Sequence, residues 1–226
     1  MKSFGNVFEP ETGEVKDGSH HLKGRWRSDF FRNENPLVLE LGCGKGEYTL
    51  GLARLYPAKN HIGVDIKGAR IWRGAKTAFE EKIRNVLFIR TRIEFINSFF
   101  EEDEVDEIWI TFPDPFPKPG NSGRRLTSSP FLNSYRRILS NNGIIHLKTD
   151  NQLLYRYTRE LVLANGLEIL ADTDDLYSNK SDDSILSIRT HYESIFLNEG
   201  LKITYLSFRL PKETLIEEAY YKKQVQ

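Results

Sequence analysis

A glycine-rich turn at positions 40–46 contains the residues best suited to chemistry. The segment reads Glu-Leu-Gly-Cys-Gly-Lys-Gly, and its glycines let a ligand approach the backbone at the start of a helix: Gly42, Gly44 and Gly46. A dinucleotide fingerprint would need glycine at position 47, where Glu47 stands, and Glu40 adds a second carboxylate. Two carboxylates disfavour a pyrophosphate but suit a ligand with an ammonium and a sulfonium. The turn therefore favours S-adenosylmethionine over NAD, and a tight turn without a ligand is the alternative.

Two residues near this turn have both a chemical and a structural interpretation. Asp65 lies about 20 residues after Gly46, at the end of a predicted strand, where a carboxylate can accept both ribose hydroxyls of a nucleoside. It could instead cap the helix that follows Gly68. Cys43 could be a nucleophile, but a small residue between two glycines more often just fits the turn. We expect Asp65 to bind ligand and Cys43 to be structural.

A proline-rich loop follows the fourth predicted strand. Residues 111–119 read Thr-Phe-Pro-Asp-Pro-Phe-Pro-Lys-Pro, and prolines at alternate positions can neither pair in a sheet nor continue a helix. The loop is therefore stiff, and it holds Asp114 and Lys118 beyond the end of the strand. A purely structural proline turn is the alternative. Arginines that follow could contact phosphate or could simply be solvated: Arg124, Arg125, Arg136 and Arg137.

Two polar clusters farther along the chain are ambiguous. Asp150 follows the fifth predicted strand, but it could equally cap the next helix. Thr190 and Glu193 stand at the start of a predicted helix with the spacing of a capping box. Residue types alone assign neither cluster to a ligand. Basic residues of the N-terminal region and the second helix are further candidate phosphate contacts: Arg25, Arg27, Lys67, Arg70, Arg73 and Lys76.

Short β-rich runs alternate with longer helical patterns and must position these residues. Strands are predicted at 37–41, 61–66, 86–90, 106–112 and 143–149, with a closing pair at 167–172 and 203–210. Helices are predicted at 47–56, 69–83, 93–100, 129–139 and 152–164, and Ser129 is the expected N-cap of the fourth. We predict a doubly wound α/β fold, mostly parallel with an antiparallel edge strand, that binds ligand beyond the carboxyl ends of its strands.

Composition limits the remaining possibilities. The 226 residues suit one domain with extensions, and 32 Lys and Arg balance 32 Asp and Glu, which argues against non-specific coating of nucleic acid. One cysteine excludes an internal disulfide framework and a thiolate-rich metal site, so we expect a reducing, cytoplasmic location and no metal. No apolar leader or long apolar run is present, so we expect no membrane association.

Five segments carry a family resemblance when they are taken together. They are LELGCGKGEYTLGLARLYP, TFPDPFPK, GRRL, HLKTDN and the TxYE segment Thr190–Glu193. In this order they resemble the bacterial tRNA (guanine-N7-)-methyltransferase family. The resemblance implies a class I methyltransferase fold, S-adenosylmethionine as donor and the variable-loop guanine of tRNA as acceptor. We expect no obligate protein partner. We accordingly predict an N-terminal arm at 1–35, a methyltransferase domain at 36–211 and a C-terminal tail at 212–226.

The resemblance also implies roles for individual residues. Glu40 and Asp65 match the family's cofactor carboxylates, and Asp114 matches the acid of its proline-rich loop. We predict that Asp114 is catalytic and also contacts the cofactor, with the three glycines of the turn. Positions that the family assigns to substrate are matched by Lys118, Asp150, Thr190 and Glu193. Arg124 and Arg125, the candidate phosphate contacts above, are also predicted to bind substrate.

Three features depart from the family pattern, and one is the basic segment after the proline-rich loop, which is reduced to residues 118–125. Where many members carry a carboxylate after the third strand, this chain has Arg92 followed by Ile93, so the predicted adenine contact there relies on backbone groups or on stacking by the guanidinium. Phe116 replaces the loop tryptophan. Three alternatives stay open: methylation of another base or an amine, a non-catalytic tRNA-binding protein on the same scaffold, and a nicotinamide dehydrogenase, which Glu40 and Glu47 disfavour.

Overall fold

The computed structural model describes residues 4–10, 20–178 and 185–218. Residues 1–3 and 11–19 of the predicted arm and 219–226 of the predicted tail therefore lie outside the described residues. Within the described ranges, no helix has the length and apolar character needed to cross a membrane.

The described residues form one eight-stranded sheet. Its strands are β1 (Val7–Phe8), β2 (Leu37–Leu41), β3 (Asn60–Asp65), β4 (Val86–Arg90), β5 (Val105–Thr111), β6 (Leu139–Thr149), β7 (Ile169–Thr173) and β8 (Thr204–Arg209). Their order is β1-β4-β3-β2-β5-β6-β8-β7. β8 runs antiparallel to β6 and β7, and the other neighbours are parallel. The predicted mostly parallel sheet with antiparallel pairing near one edge is confirmed, and the reversed strand, β8, lies second from that edge.

Helices cover both faces of this sheet. The α-helices of the described residues are α1 (Glu47–Leu55), α2 (Gly68–Glu80), α3 (Ser129–Ile138), α4 (Gln152–Ala164) and α5 (His191–Asn198). Leu39 of β2 packs in one core cluster with Leu132 of α3, whereas its neighbour Val38 packs in another with Tyr48 of α1. Successive residues of a strand point to opposite faces, so these two clusters lie on opposite sides of the sheet. The fold is doubly wound, as predicted.

One predicted helix is instead a 3₁₀ segment. The run expected to be helical at 93–100 forms 3₁₀ turns over Ile93–Ser98. Phe99 and Phe100 follow immediately and are almost fully buried. Because both rings enter the core at this point, the helix ends after two short turns, a typical length for 3₁₀ structure.

Several predicted boundaries also differ from the structure, and two of them have a visible physical reason. β6 begins at Leu139 rather than at Gly143, because Leu139 pairs with Val105 across a β-bulge. The N-cap of α3 is Ser128, not Ser129, and its hydroxyl donates to the Gly123 carbonyl at 3.0 Å rather than accepting from the helix.

The predicted arm packs against the sheet. β1 pairs with β4 at the edge, a pairing that the sequence prediction missed because a two-residue strand has no measurable periodicity. A π-helical turn spans Trp26–Phe31, and the buried Trp26 indole donates to the Phe99 carbonyl at 2.7 Å. Arg27, a predicted phosphate contact, instead pairs with Asp106 at 2.7 Å. The domain boundary at residue 35 stays a prediction.

The strand order creates a crevice at the carboxyl ends of β2 and β5. These strands are neighbours, although β3 and β4 lie between them in the sequence. The chain therefore winds outward from β2 in one direction and from β5 in the other, which leaves the space between the two connections open to a ligand. The segments after β2, β3, β4 and β5 surround this space.

Candidate active site

The glycine-rich turn connects β2 to α1. Gly46 has φ 73°, and a Cβ there would lie 2.5 Å from the Phe88 ring, so both conformation and space require glycine. Gly44 also has positive φ, but a Cβ there would face open space. Its backbone N–H donates to the Asp65 carboxylate at 2.9 Å. The turn therefore offers exposed backbone beside a carboxylate.

Glu40 lies behind this turn and is only 2% exposed. One carboxylate oxygen accepts from the Thr111 hydroxyl at 2.6 Å, and the other accepts from both the backbone N–H, at 2.8 Å, and the hydroxyl of Thr49. Burial raises the pKa of Glu40 to about 7, against the opposing effect of these hydrogen bonds. Glu40 is not part of the cavity wall described below. Its contact with a cofactor ammonium stays a prediction.

Asp65 ends β3 and faces the crevice. One oxygen accepts from Gly44, and the other accepts from the Lys67 backbone N–H at 2.7 Å. Lys67, not Asp65, is the N-cap of α2, so the capping alternative is wrong. Each carboxylate oxygen has two lone pairs, so each can still accept one more hydrogen bond. This arrangement can receive the two hydroxyls of a ribose.

The proline-rich loop presents Asp114 between two strained residues. Phe112 and Phe116 have φ of 48° and 42°, a left-handed conformation that costs a bulky residue about 1–3 kcal/mol. The Asp114 side chain is exposed and makes no hydrogen bond or ion pair with another described residue. Its carboxylate is therefore available to a ligand.

The two arginines after this loop have different environments. Arg124 is exposed, and its guanidinium lies 4.7 Å from the centre of the Phe116 ring. Arg125 is 4% exposed, and it donates to the carbonyls of Pro115 and Phe116, both at 3.0 Å. Burial of Arg125 does not fit the predicted contact with substrate. Arg124 has the exposure that such a contact requires.

The segment after β4 forms the part of the crevice wall next to β3 and β4. The Thr91 backbone N–H donates to the Asp65 carbonyl at 3.1 Å, which ties the ends of β3 and β4 together. Arg92 is largely exposed and lies 3.3 Å from Glu94. Arg92 and Ile93 both contribute to the cavity wall. Stacking of the Arg92 guanidinium on an adenine stays a prediction.

These segments enclose a cavity of about 660 Å³. This volume lies within the usual range for small-molecule sites. The wall brings together six of the predicted site residues: Gly42, Asp65, Arg92, Ile93, Asp114 and Arg124. Lys67 and Arg70, which were predicted only as phosphate contacts, also line it.

Five of the six predicted substrate residues lie outside the cavity wall: Lys118 and Asp150, together with Arg125, Thr190 and Glu193. Lys118 is exposed at the end of the proline-rich loop. Asp150 lies beyond the end of β6, where burial raises the pKa of its carboxyl group and Glu199 adds to that effect. Asn151, not Asp150, caps α4, because its side chain accepts from the Leu154 N–H at 3.0 Å. The capping alternative for Asp150 is therefore wrong.

Thr190 and Glu193 are buried at the start of α5. Thr190 is the N-cap, and its hydroxyl accepts from the Glu193 N–H at 3.1 Å, as the capping interpretation predicts. The Glu193 carboxylate does not complete a capping box. It accepts from the Tyr177 hydroxyl at 2.6 Å and pairs with Lys148 at 2.8 Å. Its complete burial does not fit direct contact with substrate.

The remaining chemical alternatives gain no support. Cys43 is buried, and burial raises the pKa of its thiol well above the usual value, which disfavours the nucleophile alternative. Within residues 4–10, 20–178 and 185–218, no group of three His, Cys, Asp or Glu side chains is arranged to hold a metal ion.

Comparison with known proteins places the chain in a family. Residues 34–206 match a protein-family model described as a putative methyltransferase. The chain is 49% identical over 218 residues to the tRNA (guanine-N(7)-)-methyltransferase of Bacteroides fragilis, with 96% of this chain and 86% of that protein covered. It is 50% identical over 210 residues to the protein of the same name from Christiangramia forsetii, with 92% and 94% covered. The chain belongs to the tRNA (guanine-N7-)-methyltransferase family.

Solved structures of other methyltransferases share the fold. The 16S rRNA methyltransferase KamB superposes with a TM-score of 0.61 at 13% identity, over 83% of this chain and 92% of that one. A geranyl diphosphate C-methyltransferase from Streptomyces coelicolor, solved with S-adenosylhomocysteine, gives 0.52 at 15% identity, over 79% and 74%. The predicted class I methyltransferase fold is confirmed.

Several cavity residues of this tRNA (guanine-N7-)-methyltransferase family member were not predicted. They belong to the start of α3 and the residues before it: Leu126, Pro130, Phe131 and Ser134. A signal for them exists, because a helix that follows a parallel strand begins at the carboxyl edge of the sheet. The start of α3 could therefore have been predicted to line the cavity.

Proposed function

We propose that this protein transfers a methyl group from S-adenosylmethionine to N7 of a guanine in the variable loop of tRNA. The observation that supports the proposal most directly is the convergence of Asp65 and the unpaired Asp114 on one cavity beside the glycine-rich turn. The curated relatives that carry this activity in their names match nearly the full chain. We further propose that it acts in the cytoplasm, where tRNA is modified.

The half of the cavity next to β3 suits the donor. Asp65 can accept hydrogen bonds from ribose hydroxyls, and Gly42 offers exposed backbone on the cavity wall. Ile66 and Ile93 offer apolar surface to an adenine. When bound, S-adenosylmethionine supplies a methyl group on a positively charged sulfur. A cation bound beside the turn would favour the ionised form of Glu40, which lies buried behind it.

The half of the cavity next to β5 suits the acceptor. Guanine N7 has an in-plane lone pair and carries no proton, so its methylation needs no general base, and the protein's task is placement. Asp114 can accept hydrogen bonds from guanine N1–H and N2–H, which selects guanine over adenine and stabilises the positive charge that develops on the ring. Phe116 offers an aromatic face to the base.

The cavity mouth suits a polyanion despite the zero net charge of the chain. Lys67 and Arg70 line one side and Arg124 lines the other. None of these three side chains forms an ion pair with a described carboxylate. These cations, of which Arg70 also donates to the Tyr192 hydroxyl at 3.4 Å, are available to phosphates of tRNA.

Methylation of unmodified tRNA tests the proposal. Purified protein is incubated with a tRNA transcript and S-adenosylmethionine, and the product is digested and mapped by mass spectrometry. We expect one 7-methylguanosine in the variable loop, and none in a transcript with 7-deazaguanine at that position. Methylation elsewhere would favour an enzyme for another acceptor. Binding of tRNA without methylation would favour the non-catalytic scaffold.

A further inference from the structure

We propose that Arg125 is a positioning residue, and that it fixes the backbone of the loop that carries Asp114. This inference rests on the proposed function, because it concerns the loop that presents the acceptor. The sequence predicts a phosphate contact for both Arg124 and Arg125, but the structure buries Arg125 and exposes Arg124. The two neighbours therefore have different tasks.

The contacts of Arg125 converge on the residues that follow Asp114. Its Nε donates to the Pro115 carbonyl and its Nη2 to the Phe116 carbonyl, both at 3.0 Å. A planar guanidinium is suited to two such bonds because its donors form a rigid fork. Proline has no N–H, so the Pro115 peptide nitrogen cannot help to hold the loop. Arg125 thus fixes two consecutive carbonyls of a segment that has few hydrogen bonds of its own.

The same segment is strained and needs external support. Phe112 and Phe116 adopt the left-handed conformation on either side of Asp114, which persists only where the surroundings enforce it. At Phe112 the backbone N–H donates to the Lys148 carbonyl at 2.8 Å. At Phe116 the support comes from Arg125. Both ends of the Asp114 turn are therefore anchored.

The guanidinium is itself held in place from the opposite side. Its central carbon lies 4.2 Å from the centre of the Tyr157 ring on α4, within the range of a cation–π contact. The Tyr157 hydroxyl donates to Glu218, and the other oxygen of Glu218 accepts from the Ser129 N–H at 3.2 Å. The C-terminal segment, α4 and the start of α3 thus fix Arg125, and through it the Asp114 loop.

A phosphate contact would require a different environment. Arg125 is 4% exposed, one face is covered by a tyrosine, and two of its donors are already used. Lysine at this position would keep the positive charge but could not form the two-carbonyl fork. A phosphate contact should therefore tolerate Arg125→Lys, whereas a positioning residue should not.

Steady-state kinetics on tRNA distinguish these roles. Arg125→Lys is expected to lower kcat by about 10–10²-fold, as expected for a small misplacement of an acting group. The KM for tRNA and the salt dependence of tRNA binding should be unchanged. Arg156→Ala, which removes an exposed arginine from α4, is the matched control and should behave as wild type. Wild-type kcat for Arg125→Lys, or a flattened salt dependence, would overturn the inference.

A double-mutant cycle with Asp114→Asn separates positioning from general damage. If Arg125 acts through Asp114, adding Arg125→Lys to Asp114→Asn should cost little further activity. Equal losses in both backgrounds would mean that Arg125 supports the fold only, and would overturn the inference. Should Arg125→Lys fail to fold, Tyr157→Leu tests the guanidinium from its other face. Tyr157→Leu should lower kcat in the wild-type background and should cause little further loss in the Asp114→Asn background. An inactive wild-type enzyme would refute the proposed function instead.

Discussion

The ammonium of Lys148 lies 2.8 Å from the carboxylate of Glu193, and both side chains are fully buried. Lys148 stands near the end of β6, and Glu193 lies in the first turn of α5. Lys148 also donates to the carbonyls of Leu186 and Ile188, at 2.8 and 3.1 Å. Burial lowers the pKa of Lys148, and Glu193 opposes that effect. The pair therefore anchors α5 and the segment before it to the sheet.

Removal of one member of this pair should destabilise the fold strongly. Lys148→Met leaves the Glu193 carboxylate buried without its counter-charge, which typically costs about 3–5 kcal/mol. The double variant Lys148→Met/Glu193→Leu should recover much of this loss because it leaves no unpaired charge. Urea unfolding measures both effects.

An exposed ion pair provides the matched control for that experiment. Arg54 and Glu81 lie 2.7 Å apart, and both are nearly half exposed. Arg54→Met should cost less than about 1 kcal/mol, because water solvates the remaining charge. Equal losses for Lys148→Met and Arg54→Met would contradict the anchoring role of the buried pair.

The sequence predicted the fold and the strand ends well because their signals are local. Periodicity places Glu40 and Asp65 at the ends of two parallel strands, and strand ends meet at one edge of the sheet. Periodicity could not show that Arg125 is buried and Arg124 exposed, because that difference depends on the packing of Arg125 against α4. The partner of Glu193 was equally hidden, since Lys148 lies 45 residues away in the sequence.

Loss of the Asp114 charge should impair chemistry more than folding. Asp114→Asn keeps the size of the side chain but offers one acceptor where the carboxylate offers two, so we expect kcat to fall by on the order of 10²–10³-fold. Because Asp114 is exposed and unpaired in the described structure, unfolding should be little affected. Initial rates with saturating tRNA measure the effect. Near-normal turnover would remove Asp114 from the proposed role.

The raised pKa of Glu40 should make stability depend on pH. Burial raises this pKa from 4.5 to about 7, so between these values the folded protein keeps a proton that the unfolded chain has released. The contribution of Glu40 to stability therefore falls as pH rises through this window, by on the order of 3 kcal/mol. Unfolding free energies at pH 5 and pH 8 for wild type and Glu40→Gln measure it. The prediction fails if the unfolding free energy of Glu40→Gln changes between pH 5 and pH 8 by as much as that of the wild type.

Donor binding should be linked to the same proton. A bound cation near Glu40 favours its ionised form, so affinity for S-adenosylmethionine should weaken as pH falls below about 7. Calorimetry in buffers of different ionisation enthalpy should detect proton release near pH 7, and Glu40→Gln should abolish it. An affinity that is flat from pH 6 to pH 8 in the wild type would place the donor's charge away from Glu40.

The exposed face of α2 should contribute to tRNA affinity through phosphate contacts. Arg73 lies one turn beyond Arg70, which lines the cavity, and it forms no ion pair with a described residue. Arg73→Ala should flatten the dependence of log affinity on log salt by about one unit. Arg27→Ala is the control. Arg27 pairs with Asp106, whose carboxylate also accepts from the Leu37 N–H at the start of β2. Arg27 therefore lies at the end of the strands opposite to the cavity. Arg27→Ala should lower the stability of the protein but leave the salt dependence of tRNA affinity unchanged. An unchanged salt dependence for Arg73→Ala would mean that Arg73 is only solvated.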